Sequence, residues 1–105
     1  MPPAVAQEVL QIGSEALLNA YRHARASLIK IRFERSGEFA VLRIRDDGIG
    51  IGEETRVLGA VPGLWGLPGM RERARRIGAT LTVDSPASGG TLVELRLPED
   101  VLGRG

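Results

Sequence analysis

The sequence predicts an α+β fold: a two-layer sandwich with helices on one face of a mostly antiparallel sheet. Two observations carry this. Apolar residues recur at helical spacing in the first quarter of the chain and again after residue 67, and each helical stretch is followed by two alternating apolar-polar runs around a turn signal. At 105 residues the chain is long enough for one hydrophobic core, so a single domain over 1–105 is expected, with its core at about residues 8–98.

In residues 4–24, Val9, Gly13, Ala16, Leu17, Ala20 and Ala24 fall three and four apart, which marks one buried helical face. The opposite side collects Glu8, Glu15, Asn19 and Arg22 into a polar stripe. Residues 27–35 and 38–46 alternate like strands, and Ser36-Gly37 between them reads as a tight turn, so the two form a hairpin. Ile29, Ile31 and Phe33 share one side of the first strand; in the second, either Ala40, Leu42 and Ile44 or Phe39, Val41 and Arg43 face the core.

Residues 47–69 are rich in Gly and Pro and follow neither period, so they read as loop. Loops beyond ~12 to 15 residues are uncommon in compact domains and are usually functional. Residues 68–77 form the second helix, with Met70, Ala74 and Ile77 as its apolar stripe, Pro68 in the first turn and Gly78 as the C-terminal cap. Residues 79–84 and 91–97 form a second hairpin joined by residues 85–90, and the tail after Pro98 is expected to fray.

Composition narrows the chemistry. Fourteen Lys+Arg against thirteen Asp+Glu leave a formal charge of +1, which argues against binding to nucleic acid or to an anionic membrane by bulk charge. The absence of cysteine excludes disulfides, thiolate metal sites and cysteine nucleophiles. No run approaches the ~18 apolar residues of a membrane span, and the first residues lack a basic start before an apolar stretch.

Several stretches can carry chemistry. Glu15 and Asn19 lie one helical turn apart, with Arg22 extending the line; a carboxylate and an amide aimed at one point can hold a hard cation, and an arginine can meet phosphate oxygens. A solvated polar face would look the same. Asp46-Asp47-Gly48-Ile49-Gly50 follows directly on a strand: the glycines let backbone approach a ligand, and a strand-end Asp can accept from an exocyclic amine. It also reads as a glycine turn, and it fits neither a dinucleotide fingerprint nor a P-loop.

Gly63-Leu64-Trp65-Gly66-Leu67-Pro68-Gly69 ends where the second helix begins, so backbone N–H groups there can receive an anion; a flexible connector is the plainer alternative. Arg71, Arg73, Arg75 and Arg76 crowd that helix as a solvated face, a phosphate contact or a dock for an acidic partner. His23 has no second ligand at metal spacing and reads as a helix-end histidine. Gly89-Gly90-Thr91 reads as a turn, or as a hydroxyl facing phosphate.

The order of these motifs resembles the ATP-binding catalytic domain of two-component sensor histidine kinases, in the superfamily of gyrase, heat-shock chaperone and MutL ATPases. Residues 15–24 look like that family's asparagine box, Asp46-x-Gly48-x-Gly50 like its first glycine box and residues 66–73 like its second. Gly89-Gly90-Thr91 is similar to its final glycine-threonine element, and the Gly-Met-Arg-Glu-Arg run resembles the nitrate-sensor-like branch.

The resemblance implies a Bergerat-type ATP-binding fold and Mg-ATP as the bound nucleotide. It implies that Asn19 coordinates Mg²⁺, that Glu15 acts as base or polarises the attacking imidazole, and that Arg22 and His23 face phosphates. Asp46 would bind the adenine amino group. Gly48, Gly50, Gly66, Leu67 and Gly69 would shape the pocket and its lid, and Thr91 would lie near adenine or phosphates.

The implied reaction moves the γ-phosphoryl group to a histidine on a separate phosphoacceptor dimerisation domain, for relay to a response regulator. The implied location is cytoplasmic, without direct membrane contact, and the isolated domain is expected to be a monomer that binds no nucleic acid. Competing readings are a serine kinase of the anti-sigma-factor type, a non-catalytic nucleotide-gated interaction module, and a nucleic-acid binder using the arginine helix. The last is opposed by the near-zero net charge.

Overall fold

The computed structural model describes residues 1–22, 26–48, 67–85 and 89–103. The elements in chain order are α1 (Pro3–Arg22), β1 (Ile29–Ser36), β2 (Phe39–Asp46), α2 (Leu67–Arg76), β3 (Thr80–Asp84), β4 (Thr91–Pro98) and a short α3 (Glu99–Leu102). The strands form one sheet in the order β1-β2-β4-β3, antiparallel throughout. The two expected hairpins are therefore joined through β2 and β4, which are not consecutive in the chain.

That join settles which side of β2 faces the core. Ala40, Leu42 and Ile44 stand opposite Leu97, Leu95 and Val93. All six are buried, against Val9, Ile12 and Ala16 of α1 and Leu67, Met70 and Ala74 of α2. Val41 is also buried, on the outer face, between its register partners Glu34 and Arg96. Ile31 and Phe33 share the inner side with Ile44 and Leu42, yet both stay half exposed because β1 is an edge strand beyond the cover of the helices.

Helix α1 corrects the expected face. Its buried stripe is Val9, Ile12, Ala16 and Ala20, while Gly13 and Leu17 lie at the margin. The polar stripe is not opposite this face but beside it: at 100° per residue, Glu15 and Asn19 follow Ile12 and Ala16 by three positions. Helix α2 packs on that flank, so Asn19 is 7% exposed and Glu8 and Glu15 are half buried. Leu10, Leu18 and Tyr21 are left in solvent.

Helix α2 ends as its sequence predicts. Gly78 has φ +75°, its N–H donates to Arg75 O at 3.0 Å, and Ala79 N–H donates to Ala74 O at 2.9 Å, the paired bonds of a Schellman cap. The tail departs from expectation. Instead of fraying, it turns into α3, which buries Leu102 and is held by Glu99 N–H to Glu38 O at 2.8 Å and by Arg35 to Glu99 at 2.9 Å.

Candidate functional site

The ends of β2 and α1 fall at one end of the sandwich. A Cβ on Gly13 would lie 3.8 Å from Leu42, so α1 crosses β2 there. Beyond α1 the chain reaches Asp47, since Ser27 and Leu28 N–H both donate to its carboxylate. Helix and strand thus run in the same sense. Asn19 lies ~9 Å of helix rise beyond Gly13, and Asp46 ~13 Å of strand beyond Leu42, which brings both to the same edge of the interlayer space.

Asp46 is inward-facing and 8% exposed, and it stands directly opposite Thr91 on β4, 4% exposed. Gly48 N–H donates to Asp46 Oδ1 at 2.8 Å and shapes the turn. Thr91 Oγ1 is buried without a hydrogen-bond partner among the described residues. An unsatisfied buried hydroxyl costs about 1–3 kcal/mol, so it marks a place where a polar ligand or water is wanted.

The turn before β4 closes on the turn after β2. Gly90 N–H donates to Gly48 O at 2.9 Å, and Gly90 has φ +82°. A Cβ at Gly90 would come within 2.2 Å of Asp46 O, so only glycine lets β4 lie flat against the backbone of Asp46. In the sequence Gly90 reads as part of a turn and of a glycine-threonine element. Its close approach becomes visible only when β2 and β4 are paired.

Asn19 sits in the α1/α2 seam, where its Nδ2 donates to Met70 Sδ at 3.9 Å. Sulfur is a weak acceptor, and Oδ1 is the harder of the two polar atoms of the amide. Glu15 lies one turn earlier and is half buried. Farther along the seam, Glu8 Oε1 meets Arg73 Nη1 at 3.4 Å, while Glu8 Oε2 is buried without a partner among the described residues. Arg75 and Arg76 are exposed and pair with Glu72, in keeping with a solvated face. Leu67 has its side chain in the core, and Gly69 is open to solvent.

Of the predicted site residues, the structure brings Asn19, Asp46, Gly48 and Thr91 to one end, with Glu15, Leu67 and Gly69 on the flanking helices. His23, Gly50, Gly66 and the side chain of Arg22 lie outside the described residues, as does Trp65. Asp47 was missed. Its carboxylate accepts from Ser27 N–H at 2.8 Å, Leu28 N–H at 2.9 Å and Ser27 Oγ at 2.5 Å, and these bonds, the Ser27 hydroxyl first, hold its pKa below the usual value. Its partners are about twenty positions away, beyond the reach of any local pattern.

A cavity of about 560 Å³ lies at the opposite end of the sheet, lined by Glu38, Phe39, Pro98, Glu99, Asp100 and Gly103. Its three carboxylates disfavour any phosphorylated ligand, so size alone does not locate the site. Among the described residues no group of three His, Cys, Asp or Glu could hold a metal by itself, so a cation at Asn19 would need further ligands from a bound molecule and water. No helix among them is long and apolar enough to cross a membrane.

Comparison with known proteins bears on the family and the fold. The family model described as histidine kinase-, DNA gyrase B-, and HSP90-like ATPase matches residues 4–101. The nitrate/nitrite sensor protein NarQ of Escherichia coli is 48% identical over 89 residues, which are 83% of this chain but 15% of NarQ. The chain thus spans a small part of that relative's length. The ATP binding domain of PrrB from Mycobacterium tuberculosis superposes with a TM-score of 0.73 at 26% identity, covering 88% of this chain and 67% of that one. The histidine kinase domain of a blue-light activated histidine kinase from Erythrobacter litoralis gives a TM-score of 0.79 at 27% identity, covering 95% and 47%.

Two predictions follow from the local geometry. Gly90→Ala should cost about 2 kcal/mol or more through left-handed strain and collision with Asp46 O, read as a lower urea midpoint at unchanged slope. Because the folded pKa of Asp47 is depressed, its contribution to stability is fully present above its unfolded value of about 3.9 and is lost as pH falls through the folded value. Asp47→Asn should therefore flatten the acid limb of stability against pH below about 4, measured by denaturant titration at several pH values.

Proposed function

Because the chain belongs to the histidine kinase-, DNA gyrase B- and HSP90-like ATPase family, and is a histidine kinase-type ATPase domain of the sensor kinases, we propose that it binds Mg-ATP and delivers the γ-phosphoryl group to a histidine of a separate phosphoacceptor domain. The observation that carries this reading is the pairing of Asp46 with Thr91 at the end of the sheet where Asn19 is buried. An acceptor carboxylate and an unsatisfied hydroxyl on one flat floor suit the edge of a purine, and an amide one layer above suits the phosphate end.

Each residue then has a physical task. Asp46 accepts from the exocyclic amine of adenine, and the Gly48 N–H bond to its Oδ1 holds the carboxylate in place. Thr91 satisfies its hydroxyl on the base or on a water beside it. Gly90 lets the turn before β4 close on the backbone of Asp46, which holds Thr91 beside that carboxylate. Asn19 offers Oδ1 to Mg²⁺, which when bound neutralises phosphate charge and aligns the oxygens. Glu15, on the same helix face, accepts a hydrogen bond from the acceptor imidazole N–H and raises the nucleophilicity of its other nitrogen. Arg22, His23, Gly50 and Gly66 complete the phosphate side and the lid in this reading.

The imidazole nitrogen forms the new N–P bond as the bond from the γ-phosphorus to the bridging oxygen breaks, and ADP leaves with the electron pair. The domain works on the cytoplasmic side, where ATP is available, and the phosphohistidine is the donor to a response regulator. Relatives longer than this chain support an acceptor domain supplied by the rest of a sensor protein.

Calorimetry on the chain should give saturable Mg-ATP binding, weakened about tenfold or more by Asp46→Asn and stripped of its magnesium dependence by Asn19→Ala. Absence of any nucleotide affinity in the unsubstituted chain would end this reading. With the parent's acceptor domain added, Glu15→Gln should keep ATP affinity while lowering phosphohistidine formation by about 10²–10⁴, measured with radiolabelled ATP. Unchanged transfer would remove Glu15 from the mechanism.

A further inference from the structure

The sheet fixes Asp46 on both sides, since it stands in register between Ile29 and Thr91. Asn19 is fixed differently. It rides on α1, which packs on the sheet through the side chains of Val9, Ile12 and Ala16 and not through a backbone ladder. A ligand that touches both residues binds best when the span between them is set in advance.

The chain leaving α1 makes that connection. Ala26 N–H donates to Ala20 O at 3.1 Å, anchoring the segment to the last turns of the helix beside Asn19. The next two residues are gripped by Asp47: Ser27 and Leu28 N–H both donate to Oδ1 and the Ser27 hydroxyl to Oδ2, while Asp47 N–H returns a bond of 3.2 Å to Leu28 O. A hydrogen-bonded path thus runs from the neighbour of Asn19 to the neighbour of Asp46. Asp47 itself is exposed and adds little apolar burial, so four hydrogen bonds at one residue serve geometry more than core stability.

We propose that Asp47 is a positioning residue whose carboxylate ties the chain leaving α1 to the end of β2, and so sets the span between Asn19 and Asp46. The proposal rests on the reading of this end as a nucleotide site, and it deepens that reading: the clamp matters for a ligand that reaches both residues, and not for one that touches the Asp46 end alone. A merely local cap would weaken both kinds of ligand alike.

The test compares Mg-ATP, by calorimetry, with adenosine, by NMR titration, on the whole chain. Asp47→Ala should weaken Mg-ATP about tenfold and change adenosine less than about twofold, since small misplacement of one end is penalised only when both ends are engaged. Asp47→Asn should recover Mg-ATP affinity to within about twofold, because Oδ1 still accepts both N–H groups and the amide can donate to the Ser27 hydroxyl.

Ser27→Ala removes one bond of the clamp and should weaken Mg-ATP by about two- to fourfold with adenosine unchanged, which keeps the proposal testable if Asp47→Ala fails to fold. Equal losses for the two ligands in Asp47→Ala or Ser27→Ala, or unaltered Mg-ATP affinity in both of them, would overturn it. Failure of the unsubstituted chain to bind Mg-ATP is a different result and strikes the nucleotide reading itself.

Discussion

The antiparallel pairing of β2 with β4 is the interaction on which the rest of the molecule depends. It joins two hairpins that are distant in the chain, aligns Ala40, Leu42 and Ile44 with Leu97, Leu95 and Val93 to make the floor of the core, and ends by setting Asp46 beside Thr91. A slip of one residue would turn all of these to the wrong face. The pairing is possible at its last step because Gly90 has no side chain to strike Asp46 O. Core and site therefore share one ladder, and the site inherits the rigidity of the central strands.

The helices solve a second problem. Helix α1 has two flanks beside its apolar stripe, and α2 covers only one of them. The covered flank carries Glu8, Glu15 and Asn19, so polar groups line the helix seam while Leu10 and Tyr21 face solvent. In that seam the Asn19 amide meets Met70 Sδ through Nδ2, and Glu8 is partly offset by Arg73. On the outer sheet face Arg43 bridges Glu34 and Glu94 at 2.6 and 2.9 Å, which relieves the like-charge register pair Arg32 and Arg43 and raises the Arg43 pKa, chiefly through the Glu94 bond.

Much of this was legible in the chain. Alternation placed both hairpins to within two residues, since strand period and turn chemistry are local. Gly78 ended α2 where expected because a Schellman cap needs one left-handed residue. The motif order identified the family, as the match over residues 4–101 bears out. Less was legible where burial depends on neighbours. Periodicity could not say that Asn19 would be covered by α2, that Ile31 and Phe33 would stay half exposed on an edge strand, or that Leu102 would be drawn inward by α3.

Two helices and four strands, their order, the inward candidates on each strand and the residue types available for nucleotide chemistry were readable in the sequence, because those follow from periodicity, capping and side-chain character; the short α3 was not. Tertiary structure alone decided which flank of α1 is polar seam and which is solvent, which face of β2 meets the helices, and that Asp47 closes on Ser27 and Leu28. Each of those is a relation between segments far apart in the chain, fixed by pairing and packing rather than by any local preference.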